Sequence, residues 1–103
     1  MRYPLMMYVA TAQVTIRLFQ SDSLKDKRQV TRSILARLRD KFEVSVAEVG
    51  GQQTWNLAQL GLACVSGDAR HAQEVIERAI KHIEQTRPDL EISDVETDLI
   101  TLE

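Results

Sequence analysis

The chain has 103 residues, a formal net charge of −2 and one cysteine, with 44% hydrophobic and 27% charged residues. This length suits one domain with one core, and the composition is ordinary for a water-soluble globular protein. A lone cysteine excludes an internal disulfide and a cysteine-based metal site. No apolar run approaches a signal-peptide core or the ~20 residues of a membrane span. We expect a single cytoplasmic domain over residues 1–103, with residues 1–6 as a loose tail.

The first predicted element is a strand from Tyr8 to Phe19. Every second residue from Tyr8 to Leu18 is apolar, and polar residues such as Gln13 and Arg17 lie between them. A period of two over twelve residues is typical of a strand with one buried face.

A helix is predicted next, over residues 24–41. Ser23 is a good N-cap residue, and Asp26 follows it at the spacing of a capping box. In that motif the Ser23 hydroxyl accepts from the Asp26 amide, and the Asp26 carboxylate accepts from the Ser23 amide. Residues at helical spacing then form an inward stripe: Leu24, Thr31, Ile34, Leu35, Leu38 and Phe42.

The rest of the chain reads as strand, strand, helix, strand. Residues 43–49 and 54–65 alternate as strands around a turn at 50–53, and Gly61 marks a bulge or a close backbone approach. An apolar stripe from Ala72 to Ile83 predicts a helix, which ends before Pro88. Residues 90–102 alternate imperfectly and form the last strand.

The order β-α-β-β-α-β indicates an α+β, ferredoxin-like fold, with a four-stranded antiparallel sheet and two helices on one face. The other sheet face is then uncovered, and strand parity places Trp55, Leu57 and Val65 on it. An exposed apolar strip usually binds a partner. We expect self-association through these three residues; a ligand platform and a contact within the monomer are the alternatives.

The predicted first helix holds seven bases and two acids. At 100° per residue, four of the bases fall within about 60° of one another, with no acid among them. These four, called the cation strip, are Lys25, Arg28, Arg32 and Arg39. A line of bases can follow RNA phosphates. The alternatives are a solvated face and pairing with residues 89–103, within the molecule or across a dimer; this segment contains six acids and no base.

No catalytic residue, cofactor or metal site is predicted. His71 and His82 lie roughly 16 Å apart along the predicted second helix, too far for one ion. Asp94, Glu96 and Asp98 share one face of the last strand at ~6–7 Å intervals, too wide for one ion without other ligands. They suit an edge that resists unwanted pairing. We therefore expect no enzyme activity.

Three segments resemble a small bacterial family known as YlxP-like, catalogued as a domain of unknown function. They are "SLKDKR" at 23–28, "KFEVSVAEV" at 41–49, and Trp55 followed by "LGLACV" at 60–65. The resemblance covers residues 8–100. It implies a ferredoxin-like fold, self-association and, in some bacteria, genes beside translation and ribosome-maturation genes, with no established activity or cofactor. The family often has acidic residues where this chain has its uncharged 50–53 loop, so a ligand site on that loop is in doubt.

The leading functional hypothesis is a non-catalytic accessory module that associates with RNA or the ribosome through the cation strip. The translation link is implied by the resemblance alone. One alternative is a regulatory or small-molecule-binding oligomer that uses the open sheet face. Another is a protein–protein interaction module. No membrane partner is expected.

Overall fold

A computed structural model describes residues 5–103. Its elements are β1 (Met7–Leu18), α1 (Leu24–Lys41), β2 (Ser45–Gly50), β3 (Leu57–Ser66), α2 (Ala69–Thr86) and β4 (Leu90–Leu102). The predicted loose tail falls mostly on residues 1–4, outside the described residues; Leu5 and Met6 are exposed and precede β1. No helix within residues 5–103 is long and apolar enough to cross a bilayer.

The four strands form one antiparallel sheet in the order β2-β3-β1-β4. With this element order, the predicted α+β, ferredoxin-like fold is confirmed. One sheet face is buried against the helices, through the even-numbered residues of β1 from Ala10 to Leu18 and of β3 from Ala58 to Cys64. The odd-numbered residues of these strands form the open face, which no helix covers.

The core lies between that sheet face and the apolar stripes of the helices. Val14, Leu38, Leu60 and Ile83 are almost completely buried there. Burying an aliphatic side chain of this size stabilises the fold by roughly 1.5–3 kcal/mol. On α2 the predicted stripe from Ala72 to Ile83 is the inward face.

One of the two hydrogen bonds predicted for the capping box at the N-terminus of α1 is confirmed. The Ser23 hydroxyl accepts from the Asp26 amide at 3.1 Å. The predicted return bond to the Ser23 amide is wrong, because the Asp26 carboxylate accepts from the Asp22 amide at 3.3 Å instead. The carboxylate still places negative charge at the positive end of the helix.

Two strand boundaries differ from the prediction by two residues or more. β2 starts at Ser45 rather than at residue 43, and β3 starts at Leu57, because residues 51–56 form a loop. Gly51 opens that loop with φ 78°, a conformation that favours glycine. Gly61 marks a close approach: a Cβ there would lie 2.8 Å from Cγ1 of Val49 on β2.

A register shift explains the imperfect alternation of β4. β1 and β4 pair regularly except between Thr15 and Ile16, where Ser93 is left over as the extra residue of a bulge. Leu90 and Ile92 face the helices before the bulge, and the odd-numbered residues from Val95 to Leu99 do so after it. Asp94, Glu96 and Asp98 share one face of β4, as predicted, and the register shows that it is the open face.

Candidate functional site

Lys27 is a buried base on the inward face of α1, with 1% of its surface exposed. Its Nζ lies 3.0 Å from Oε2 of Glu48 on β2, an ion pair rather than an aligned hydrogen bond, and donates to the carbonyl of Gly51. A buried charge without a partner costs several kcal/mol. We call this contact of Lys27 with Glu48 and Gly51 the Lys27 anchor.

The loop at 51–56 is held to the start of α1 by two further bonds. The buried Ser21 hydroxyl donates to the carbonyl of Trp55 at 2.6 Å, and the Leu18 amide donates to the carbonyl of Asn56 at 2.9 Å. With the Lys27 anchor, these bonds join the β1–α1 connection, the end of β2 and the loop into one unit.

The cation strip lies on the outside of α1. Lys25, Arg28 and Arg32 are exposed, and within residues 5–103 no acid lies within 4.0 Å of their charged atoms. Arg39 is also exposed, but one of its terminal nitrogens donates to the carbonyl of Val46 on the edge strand β2 at 3.0 Å. Three of the four predicted bases are therefore unpaired in the described chain, and Arg39 covers part of a sheet edge.

The acidic C-terminal segment does not neutralise the strip. Its one ion pair in the described chain joins Asp89 to Arg87, just after α2, through two hydrogen bonds of 2.9 and 2.7 Å. These bonds lower the pKa of Asp89 and raise that of Arg87. Pairing of residues 89–103 with the strip within one molecule is therefore not what the structure shows, whereas pairing across a dimer stays a prediction.

The predicted apolar strip on the open face is only partly correct. Leu57 and Val65 lie on this face of β3, but the predicted strand position of Trp55 is wrong, because Trp55 precedes β3 and lies in the loop. The interface role predicted for the three residues stays a prediction. Val65 is exposed, and it neighbours Val9, which in turn pairs with Ile100 of β4. This apolar row was missed from the sequence because it requires the strand order and register.

The rest of the open face is acidic along β4. Asp94, Glu96 and Asp98 are exposed there and pair with the neutral residues Thr15, Gln13 and Thr11 of β1. Within the described strands, the register leaves Arg17 as the one base on this face. The charges are thus segregated, with bases on α1 and acids on the open face.

The other reactive side chains are separated from both surfaces. Burial, followed by the charge of Glu43, raises the pKa of the Cys64 thiol, which keeps it protonated and unreactive. His71 is exposed at the start of α2. Residues 5–103 contain no group of three side chains placed to hold a metal ion.

His82 lies where α2 meets the end of α1. Its ring meets Phe42 edge-on, with the ring centres 5.6 Å apart, and its Nε2 is buried without a hydrogen-bond partner. Burial, then the charges of Lys41 and Arg37, lower its pKa from the ordinary value of 6.5. The folded chain therefore holds His82 neutral at pH 7.

The Lys27 anchor was missed from the sequence although a signal was present. At 100° per residue, Lys27 points between Ile34 and Leu38, in the middle of the apolar stripe and about 160° from Lys25. A base in that position requires a buried acceptor. Glu48 supplies it, since it shares strand parity with the buried Val46.

Comparison with known proteins places the chain in a family. The family model described as "Protein of unknown function (DUF503)" matches residues 9–97. The chain is 32% identical over 83 residues to "Uncharacterized protein YlxP" of Bacillus subtilis (strain 168), covering 81% of this chain and 89% of that protein. A solved structure, "De novo designed protein Foldit4", is 16% identical with a TM-score of 0.47, covering 92% of this chain and 97% of its own, a likeness from which we infer nothing.

Replacing Lys27 by Met is expected to lower the free energy of unfolding by roughly 3 kcal/mol, because Glu48 and the Gly51 carbonyl lose their buried partner. Urea denaturation at pH 7 measures the loss. Lys25→Met, on the exposed side of the same turn, is the matched control and changes stability by less than about 0.5 kcal/mol. Equal losses in the two variants would contradict the anchor.

Stability is expected to fall as the pH drops below 6.5. The unfolded chain protonates His82 near that ordinary value, whereas the folded chain does so only at lower pH, so acid favours unfolding. Denaturant titrations between pH 8 and pH 5 give the slope of the unfolding free energy against pH. His82→Gln should lack the part of this slope that His82 contributes in wild type. His71→Gln is the exposed control and keeps it; identical slopes in wild type and His82→Gln would refute the assignment.

Proposed function

Because the chain belongs to the DUF503 family of proteins of unknown function, its relatives supply no activity. We propose, from its surface, that it is a non-catalytic module that binds the phosphate backbone of structured RNA through the cation strip. One observation supports this most directly. Lys25, Arg28 and Arg32 are exposed along one side of α1, and no acid lies within 4.0 Å of their charged atoms in the described chain.

The spacing of these three side chains suits a phosphate backbone. Lys25 and Arg32 are separated by about 10 Å along the helix axis. A span of this length reaches more than one phosphate of a strand, so the three side chains can contact neighbouring phosphates. The Lys27 anchor fixes α1 to β2, which limits the entropy that binding would otherwise cost.

The type of RNA follows from the side chains that the strip lacks. The strip contains no aromatic residue on which an unpaired nucleobase could stack. Its lysine and arginine side chains contact phosphates, and such contacts do not read the nucleotide sequence. Recognition by backbone shape therefore favours folded, double-stranded regions over single strands.

The open sheet face is a poor alternative site for RNA. Related sheet platforms in RNA-recognition modules bind bases through exposed aromatics. Here Asp94, Glu96 and Asp98 line the face, and Arg17 is the one basic residue on it within the described strands. Phosphates would be repelled from this surface, so the proposal assigns RNA to the helix side.

Arg28→Glu combined with Arg32→Glu is expected to weaken binding to purified ribosomal subunits or a structured ribosomal RNA fragment by at least tenfold. Both changes replace an attraction to a phosphate by a repulsion. The plot of log affinity against log salt has a negative slope, and its magnitude should decrease by about two, roughly one for each arginine that no longer neutralises a phosphate. Filter binding from 50 to 200 mM salt measures both quantities.

The matched control reverses two bases elsewhere. Arg70→Glu with Lys81→Glu makes the same change in net charge on exposed positions of α2. It should leave both affinity and slope nearly unchanged. Equal weakening by the two double variants, or no binding by wild type at 50 mM salt, would contradict the proposal.

We also propose that the chain self-associates through the apolar end of its open face. This second proposal is favoured by an apolar row in which Val65 and Ile100 are exposed and Val9 between them is half-buried; the exposed pair Met7 and Leu102 extends it. An exposed apolar patch at the end of a sheet is a common contact between copies of one chain. Leu57 lies on the same face, whereas Trp55 lies in the loop.

Val65→Lys is expected to shift the protein to the monomer, because the contact would then bury a charge. Sedimentation equilibrium at several concentrations measures the association constant. Trp55→Ala serves as the comparison and should leave that constant unchanged. The proposal would be contradicted if wild type were monomeric at high concentration. It would also be contradicted if Trp55→Ala abolished association while Val65→Lys did not.

A further inference from the structure

We infer that β4 is a docking edge for an extended segment of another protein in which cationic and apolar residues alternate. β4 is the outermost strand of the sheet and runs for 13 residues. No strand in the described chain pairs with its outer side. An edge strand presents N–H and C=O groups that no strand pairs on its outer side, and extended peptides bind such edges by main-chain hydrogen bonds. On β4 one amide, that of Leu99, already donates to the Asp98 carboxylate at 2.8 Å.

One side of the edge selects cations. Asp94, Glu96 and Asp98 are exposed on the open face, their cross-strand neighbours on β1 are neutral, and no base lies within 4.0 Å of their carboxylates in the described chain. These carboxylates recur every second residue, at ~6–7 Å. An added strand has the same interval, so lysines or arginines at its alternate positions would each meet one carboxylate.

The other side of the edge selects apolar residues. Val95 faces the helix layer but is 39% exposed, because α2 does not extend over the edge of the sheet. Beside it, an open cleft of about 300 Å³ separates α2 from β4 and is lined in part by Ile76, Thr97 and Leu99. The apolar side chains of an added strand would point toward this cleft and cover Val95.

The same carboxylates exclude a second copy of the chain as the occupant. Pairing two β4 strands would place six carboxylates on neighbouring strands, which is unfavourable for like charges. The other edge strand, β2, has the sequence "SVAEVG" and offers no base. Like charges therefore disfavour pairing of β4 with a second β4, and opposite charges favour pairing with a cationic strand. Such a combination of repulsion and attraction gives specificity. This inference is independent of RNA binding at α1.

The test uses a fluorescein-labelled heptapeptide of alternating lysine and valine and measures binding by fluorescence anisotropy. The Asp94→Asn, Glu96→Gln, Asp98→Asn triple variant is expected to bind about tenfold more weakly, from three exposed charge pairs. The matched control neutralises three exposed acids elsewhere, by Asp40→Asn, Glu43→Gln and Glu84→Gln, and keeps wild-type affinity within twofold.

Two further peptides separate strand addition from charge attraction. One has the same composition with its lysines in a single block, and the other is the alternating peptide with every second amide N-methylated. Both should bind at least tenfold more weakly to wild type, and only the alternating peptide should slow hydrogen exchange at β4 amides. The inference would be overturned if wild type bound either further peptide as tightly as the alternating peptide, or if the two triple variants bound the alternating peptide equally well.

Discussion

The enclosed ammonium of Lys27 is the constraint on which the proposed RNA-binding surface depends. Most of the core lies between α2 and the central strands, whereas α1 meets the sheet chiefly through β2. The N-terminal half of α1 is held there by Lys27, and its C-terminal half by the bond from Arg39 to Val46. Both contacts fix the rotation of α1 about its axis, and this rotation decides which bases reach solvent.

With α1 fixed in this way, the charges of the molecule separate into two regions. A net charge of −2 conceals a helix with five more bases than acids and a terminal strand with acids alone. The two regions lie on different layers, so a phosphate backbone and a cationic protein strand would not compete for one site. Together, the two proposals describe a small adaptor that contacts RNA with one layer and a basic protein with the other.

The sequence was sufficient to predict the elements whose burial pattern is local. The period of β1 and the stripes of α1 and α2 depend on neighbours in the chain, and the bounds of α1 were predicted to the residue. Trp55 could not be placed, because the length of a loop depends on contacts from Ser21 and Lys27 that are distant in sequence. The β4 bulge was likewise hidden, since Ser93 becomes an extra residue only once β4 pairs with β1.

The account is tested most directly by the reactivity of individual lysine amines toward an acetylating reagent, followed site by site with mass spectrometry. Lys25, Lys41 and Lys81 are exposed and should be modified at similar rates. Lys27 should react only when the anchor opens, and therefore far more slowly. Modification of Lys27 at the rate of Lys25 in the folded protein would show that the anchor does not exist.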